Sequence, residues 1–321
     1  MTKELLTVKN LSVDFVGENS VVHAVKNLNY TLNEGQTLGI VGESGSGKSV
    51  SSLALMQLLP MPPAKITSGE VHYKGKDLLN MGKKELQKIR GNEISMIFQE
   101  PMTALNPLMT IGEQIQESIL IHQNVTKQEA FDQSVEMLRK VEILHPEKRV
   151  HHYPHQLSGG MRQRVMIAIA LCCDPSLLIC DEPTTALDVT TQAQILSLIN
   201  RLKDDFNTAV IMITHDLGVV STVADHVLVM YKGETMEVGA MSDIFNSPQH
   251  DYTKALLAAI PDIDNRKDRL EVVEHALQVG DVKAMAESEI FDKDAYELKN
   301  QNCASELVEV APGHWVRRFV D

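Results

Sequence analysis

Gly42-Glu43-Ser44-Gly45-Ser46-Gly47-Lys48-Ser49 has the spacing GxxxxGK[ST], which makes a loop that wraps an oligophosphate. The glycines let successive backbone N–H groups turn inward around an anion, and a helix starting at Lys48 adds its positive N-terminal end. Lys48 brings a point charge to the β- and γ-phosphates, Ser49 offers a hydroxyl to Mg²⁺, and the cradle is expected to run on through Val50. A second constellation, Leu177-Leu178-Ile179-Cys180-Asp181-Glu182, is an apolar run ending in two carboxylates. Asp181 is placed to orient Mg²⁺ through water, and Glu182 to polarise an attacking water. A positioned general base is typically worth about 10²–10⁴ in rate. Alone such an acidic pair is ordinary surface chemistry; beside a phosphate loop it points to phosphoryl transfer.

A third stretch, Leu157-Ser158-Gly159-Gly160-Met161-Arg162-Gln163, puts a capping serine and two glycines ahead of a helix predicted to run to about Cys172. Its N–H groups are left uncovered, so one chain carries two anion-seeking helix ends. Standing alone, this loop would read as a plain serine cap.

These residues need a scaffold of buried strands. Short apolar strands are expected at 38–41, 94–98, 177–180, 210–213 and 227–230, with helical patterns between several of them. That alternation predicts an α/β fold with a parallel sheet covered by helices. Period-two alternation through Leu6, Val8, Leu11, Val13 and Phe15 predicts edge strands, and a helix is expected from Lys48 to about residue 59. Residues 101–172 read as an inserted helical subdomain, and 232–239 as a hairpin closing the sheet. The expected division is a core domain over 1–245 and a small C-terminal extension over 246–321. That extension has a helix around Tyr252, a charged linker near Asp262–Arg269 and a strand near 314–320. Lys83, Lys84, Lys88 and Arg90 read as a solvated helix face.

Among the 321 residues, 43% are hydrophobic, enough for a substantial core, and 30 basic against 43 acidic side chains leave a net charge of -13. That balance opposes broad binding to nucleic acid or anionic lipid, because a phosphate lattice repels it. No apolar run reaches the roughly 18–20 residues that cross a bilayer; any tie to a membrane is expected to pass through partner proteins. The four cysteines form no CxxC pair, so neither a disulfide framework nor a structural zinc site is indicated. His151, His152 and His155 read as part of a loop ahead of Ser158 rather than as a metal site.

The 157–163 stretch resembles the signature sequence of ATP-binding-cassette (ABC) ATPases, and other motifs of that family follow in order. The resemblance implies that ATP and Mg²⁺ are bound, with an ABC-type core holding an antiparallel β edge and the helical subdomain. It implies that Gln99 binds Mg²⁺ and senses transmembrane subunits. Asp188, in Thr185-Ala186-Leu187-Asp188, would communicate across a dimer, and His215 would contact the γ-phosphate. Phe15 is the candidate for stacking on adenine, with His23 and Val25 on the same approach. Ser158, Gly159 and Gly160 would serve a partner's nucleotide.

Phe98-Gln99-Glu100-Pro101-Met102-Thr103-Ala104-Leu105-Asn106-Pro107 resembles the glutamine loop of oligopeptide/dipeptide importer ATPases, and the run from Ser247 to Leu257 resembles the start of their C-terminal extension. The implied partners are a second, related ATPase subunit, two transmembrane permease subunits and an extracellular substrate-binding protein, at the cytoplasmic face of the cell membrane. Nickel or metal-chelate importers use near-identical ATPases and stay open as an alternative. A soluble non-transport ABC ATPase is disfavoured, since no long coiled-coil insertion separates the loop from the signature. Members of this family often hold an iron–sulfur centre in the extension; only Cys303 follows Cys180 here, and one thiolate falls short of four ligands, so no cluster is expected.

Overall fold

A computed structural model describes residues 3–185, 187–259, 296, 299–300 and 304–319. The charged linker, Cys303 and Ala186 lie outside the described residues.

The chain opens with β1 (Glu4–Val16) and β2 (Val21–Asn33), then β3 (Thr37–Val41) and α1 (Lys48–Leu55). β4 (Ala64–Tyr73), β5 (Lys76–Asp77), α2 (Lys83–Ile89) and β6 (Ile94–Ile97) follow. The next stretch is helical: α3 (Pro101–Ala104), α4 (Ile111–His122), α5 (Lys127–Lys140), α6 (Pro146–Arg149) and α7 (Gly159–Leu171). The core resumes with β7 (Leu177–Asp181), α8 (Val189–Phe206), β8 (Ala209–Thr214), α9 (Leu217–Ser221), β9 (His226–Tyr231) and β10 (Glu234–Ala240). α10 (Met241–Asn246), α11 (Asp251–Ala258), β11 (Ser305–Ala311) and β12 (His314–Phe319) complete it.

Two sheets result. One is antiparallel, in the order β2-β1-β4-β5; the other runs β11-β12-β10-β9-β3-β8-β7-β6. The strands from β9 to β6 are mutually parallel, while β10, β12 and β11 are antiparallel additions at one edge. Because successive strand residues face opposite ways, the parallel sheet feeds two cores. Leu178, Cys180, Val210 and Met212 pack with α4, α5, α7 and α8; Leu177, Ile179, Ile211 and Ile213 pack with α1 and the antiparallel sheet. α1 and α7 therefore lie on opposite faces of one sheet.

The helix predicted from Lys48 is shorter than expected. It ends at Leu55, with Met56 as cap and Gln57 in a left-handed conformation (φ 48°). Arg90 is not part of a solvated face: its guanidinium donates to the carbonyls of Met56 (2.8 and 2.5 Å) and Gln57 (2.9 Å). A cation on the last carbonyls offsets the negative end of the helix dipole, so Arg90 terminates α1.

Residues 232–239, expected to be a hairpin closing the sheet, are only the turn at Lys232 (φ 46°) and Gly233 (φ 85°) and strand β10; the hairpin's first strand is β9, and β12 and β11 continue the sheet beyond β10. β12 appears where the last strand was expected, but β11 was not anticipated. Glu306 shares a face with Val308 and Glu309 one with Leu307, so neither face of β11 is wholly apolar, and the strand is an exposed sheet edge. The C-terminal residues are clasped by Glu237, whose fully buried carboxylate accepts from the backbone of Gln249 (2.8 Å) and His250 (2.9 Å) and from His314 Nε2 (2.7 Å). Glu237→Ala strands these buried donors, so we expect a loss on the order of 3 kcal/mol, read as a lower urea midpoint at unchanged m-value. An unmoved midpoint would show that the clasp contributes nothing.

Candidate functional site

β3 is buried along its whole length, so its C-terminal end presents the phosphate loop at a fixed height. Gly42 and Gly47 take positive φ (152° and 99°), and a Cβ on either would lie 2.1 Å from the Met230 carbonyl or 2.3 Å from that of Ala24. No side-chained residue fits, so the glycines are there for close backbone approach. Ser44 and Gly45 stand exposed at the loop's tip, while Ser46 is buried with its hydroxyl lacking a partner in the structure. Gly47 caps α1 without a side-chain bond, leaving the N–H groups of Lys48, Ser49 and Val50 without intrahelical acceptors. Lys48 is buried and its Nζ donates to the carbonyls of Gly42 (2.7 Å) and Glu43 (2.8 Å). Burial pushes its pKa down, against the attraction of Glu182, Asp181 and Glu43.

Asp181 is the last residue of β7 and accepts from Ser49 Oγ at 2.7 Å, joining the strand end to the loop as the sequence implied. Burial raises its pKa, and the neighbouring Glu182 adds to this, while Ser49 and Lys48 oppose it. Glu182 sits just beyond the strand in a left-handed conformation (φ 47°), an unfavourable geometry for a side-chained residue. Its Oε2 accepts from Gln99 Nε2 (3.1 Å) and Thr185 Oγ1 (2.9 Å), and His215 Nδ1 lies 3.5 Å away. Gln99, Glu182 and His215 are thus brought together. Thr185 is a member of this group that sequence reasoning did not single out; its three-residue spacing from Glu182 across a turn was the available signal.

Phe15 is half-buried in β1, opposite Val22 and Ala64 and packed on the core. Of the two other residues on that approach, Val25 is fully buried and unavailable for stacking, and His23 is tied to Asp14 at 2.8 Å. The exposed Val16, Val21 and Val22 form the apolar tip of this hairpin, unnoticed in the sequence. Its β2 strand reaches the loop at Ala24.

The second helix end is separate. Ser158 caps α7, accepting from Met161 N at 3.4 Å, and Asp188 caps α8, accepting from Thr191 N (3.0 Å) and Thr191 Oγ1 (2.8 Å). The Asp188 bonds to Thr191 hold its carboxyl below the usual range. A Cβ on Gly160 would meet the Thr191 methyl at 2.8 Å, so the two helix ends pack closely. Between them lies an open cleft of about 400 Å³ lined by Ser158, Gly159, Gly160, Leu187, Asp188 and Thr191.

Among the described residues no group of three or more His, Cys, Asp or Glu side chains is placed to hold a metal ion, and no helix is long and apolar enough to cross a membrane. His151 stacks on Phe131 and His155 on Tyr153.

A strand-loop-helix phosphate cradle beside a strand-end carboxylate pair, with a capped glycine loop on the sheet's other face, defines an ATP-binding cassette. The ABC transporter family model matches residues 25–185, and that of the oligopeptide/dipeptide transporter C-terminal region matches residues 236–288. The chain belongs to the ABC transporter family, as its motifs implied. The oligopeptide transport ATP-binding protein OppD of Haemophilus influenzae is 56% identical over 273 residues, covering 84% of this chain and 83% of its own. OppD of Escherichia coli K12 is 55% identical over 260 residues, 81% of this chain and 77% of its own. Among solved structures, the dimeric ATP-binding cassette MJ0796, in a post-hydrolysis state bound to ADP and Pi, superposes with a TM-score of 0.66 at 30% identity, covering 74% of this chain and 99% of its own.

Proposed function

We propose that this chain is the ATP-hydrolysing subunit of an oligopeptide importer, working at the cytoplasmic face of the cell membrane through permease partners. The observation that carries the chemistry is the 2.7 Å bond between Ser49 and Asp181, which joins the phosphate loop to the strand end where Glu182 waits. The cargo class is supported by the matched C-terminal region and by the OppD relatives. Nothing in the site favours the nickel alternative.

The triphosphate lies along the loop from Gly42 to Gly47, on the N–H groups of Lys48, Ser49 and Val50. Adenine rests on the β1–β2 tip, against Phe15. The Ser49 hydroxyl, the Asp181 carboxylate and the Gln99 amide oxygen are hard oxygen donors, a set that fits Mg²⁺ better than a thiophilic metal. When bound, Mg²⁺ would neutralise charge on the β- and γ-phosphoryl oxygens. Glu182 accepts a proton from water, and His215 and Gln99 hold the γ-phosphate side of the site. We take residues 1–245 as the nucleotide-binding unit and 246–321 as its extension.

α1 and α7 pack on opposite faces of the sheet, which supports a reading in which Ser158 and Lys48 of one chain serve different nucleotides. A second ATPase subunit, identical or related, supplies the other half of each site. A binding protein outside the membrane delivers the peptide.

Reconstitution of the chain with its permease subunits and binding protein in vesicles tests this reading. ATP inside the vesicle-equivalent cytoplasmic compartment is expected to drive uptake of a labelled oligopeptide. Uptake of nickel with no uptake of peptide would overturn the cargo assignment.

A further inference from the structure

Glu43, the second residue of the phosphate loop, donates its backbone N–H to the phenol oxygen of Tyr252 at 3.1 Å. Tyr252 lies far along the chain in α11 and is completely buried, its ring 4.7 Å from that of Tyr231. Its position is set from two sides. Tyr231 meets Tyr296 edge-on, and Tyr296 in turn lies beside Phe319 of β12. The start of α11 is held by the Glu237 carboxylate, through the His250 N–H, and by His250 Nδ1, which accepts from the backbone of Tyr252 at 3.1 Å. Burial pushes His250 down to about 4, so the ring is neutral, and the bond from the Tyr252 N–H assigns its lone pair to Nδ1.

The Glu43 N–H shares one rigid peptide plane with the Gly42 carbonyl. That carbonyl and the next, of Glu43, are the two acceptors of Lys48 Nζ. Whatever orients the Gly42–Glu43 plane therefore aims the ammonium. Resting on the reading of this loop as the nucleotide site, we infer that Tyr252 is a positioning residue for the phosphate loop, through which the C-terminal region sets the affinity for ATP. Tyr252 touches no reacting atom; it acts through the peptide plane and Lys48.

The test is Tyr252→Phe in the full chain, which keeps the ring and its stacking and removes only the hydroxyl that accepts from Glu43 N–H. Equilibrium titration with a fluorescent ATP analogue is expected to show affinity weaker by about 3- to 10-fold, as for one lost hydrogen bond, at one site per chain. In the assembled transporter KM for ATP rises by the same factor while kcat stays within twofold. Unchanged affinity in folded Tyr252→Phe, beside a loss in Lys48→Ala, overturns the role of Tyr252 and leaves the nucleotide site standing. A fall in kcat at constant KM also overturns it. Absence of saturable ATP binding to the wild-type chain sinks both readings. Amide hydrogen exchange on the wild-type protein gives a check that needs no variant: the Glu43 N–H is protected without nucleotide, and rapid exchange there would refute the contact.

Discussion

Glu182→Gln is expected to bind ATP with near wild-type affinity while hydrolysis falls by about 10²–10⁴, the range of a positioned general base. Three groups converge on the Glu182 carboxylate, from Gln99, Thr185 and His215, and none of them is on the phosphate loop. The substitution is nearly isosteric, so Lys48, Ser49 and the glycine cradle keep their geometry and binding survives. What is lost is the negative oxygen that draws a proton from water. On the proposed arrangement of two nucleotides between two chains, with neither hydrolysed the pair stays closed, so an ATP-dependent dimer should persist on size exclusion. An ATPase rate within twofold of wild type would remove Glu182 from the mechanism.

Lys48→Ala has the opposite signature. Its ammonium is buried and held by two loop carbonyls, within reach of the charges of Glu182, Asp181 and Glu43. Loss of a charge-assisted contact to phosphate removes roughly 1.5–3 kcal/mol, or about 10- to 150-fold in ATP affinity. The variant also frees the Gly42 and Glu43 carbonyls, which loosens the cradle itself. Here binding fails first and turnover follows. Calorimetric titration with ATP decides it, and an unchanged dissociation constant would refute the role of Lys48. The two variants together separate holding the nucleotide from cleaving it.

Much of the site was legible because its residues are clustered in short runs whose backbone geometry is local. The phosphate loop, the 181–182 pair and the capping Ser158 each lie within eight residues, and each was found where expected. Gln99 and His215 were placed by resemblance, and the structure brings both to Glu182. Arg90 escaped because its acceptors, the carbonyls of Met56 and Gln57, lie over thirty residues away. Val25 was a plausible neighbour for adenine until packing buried it, for a strand's two faces look alike in a sequence until something covers one of them. β11 did not announce itself because Glu306 and Glu309 fall on opposite faces of it, leaving neither one uniformly apolar, as an edge strand that covers no core allows.

The sequence by itself determined the chemistry: an anion cradle, a carboxylate pair and a second capped helix end, all encoded in spacing that the backbone must obey locally. It also determined the parallel sheet, because buried strands between helical runs have few other ways to pair. Only the tertiary structure decided that α1 and α7 begin on opposite faces, since which side of a sheet a crossover helix takes depends on the whole chain path. And only it decided that α11 returns to the phosphate loop, because a contact between Glu43 and Tyr252 is made by packing and leaves no periodicity to read.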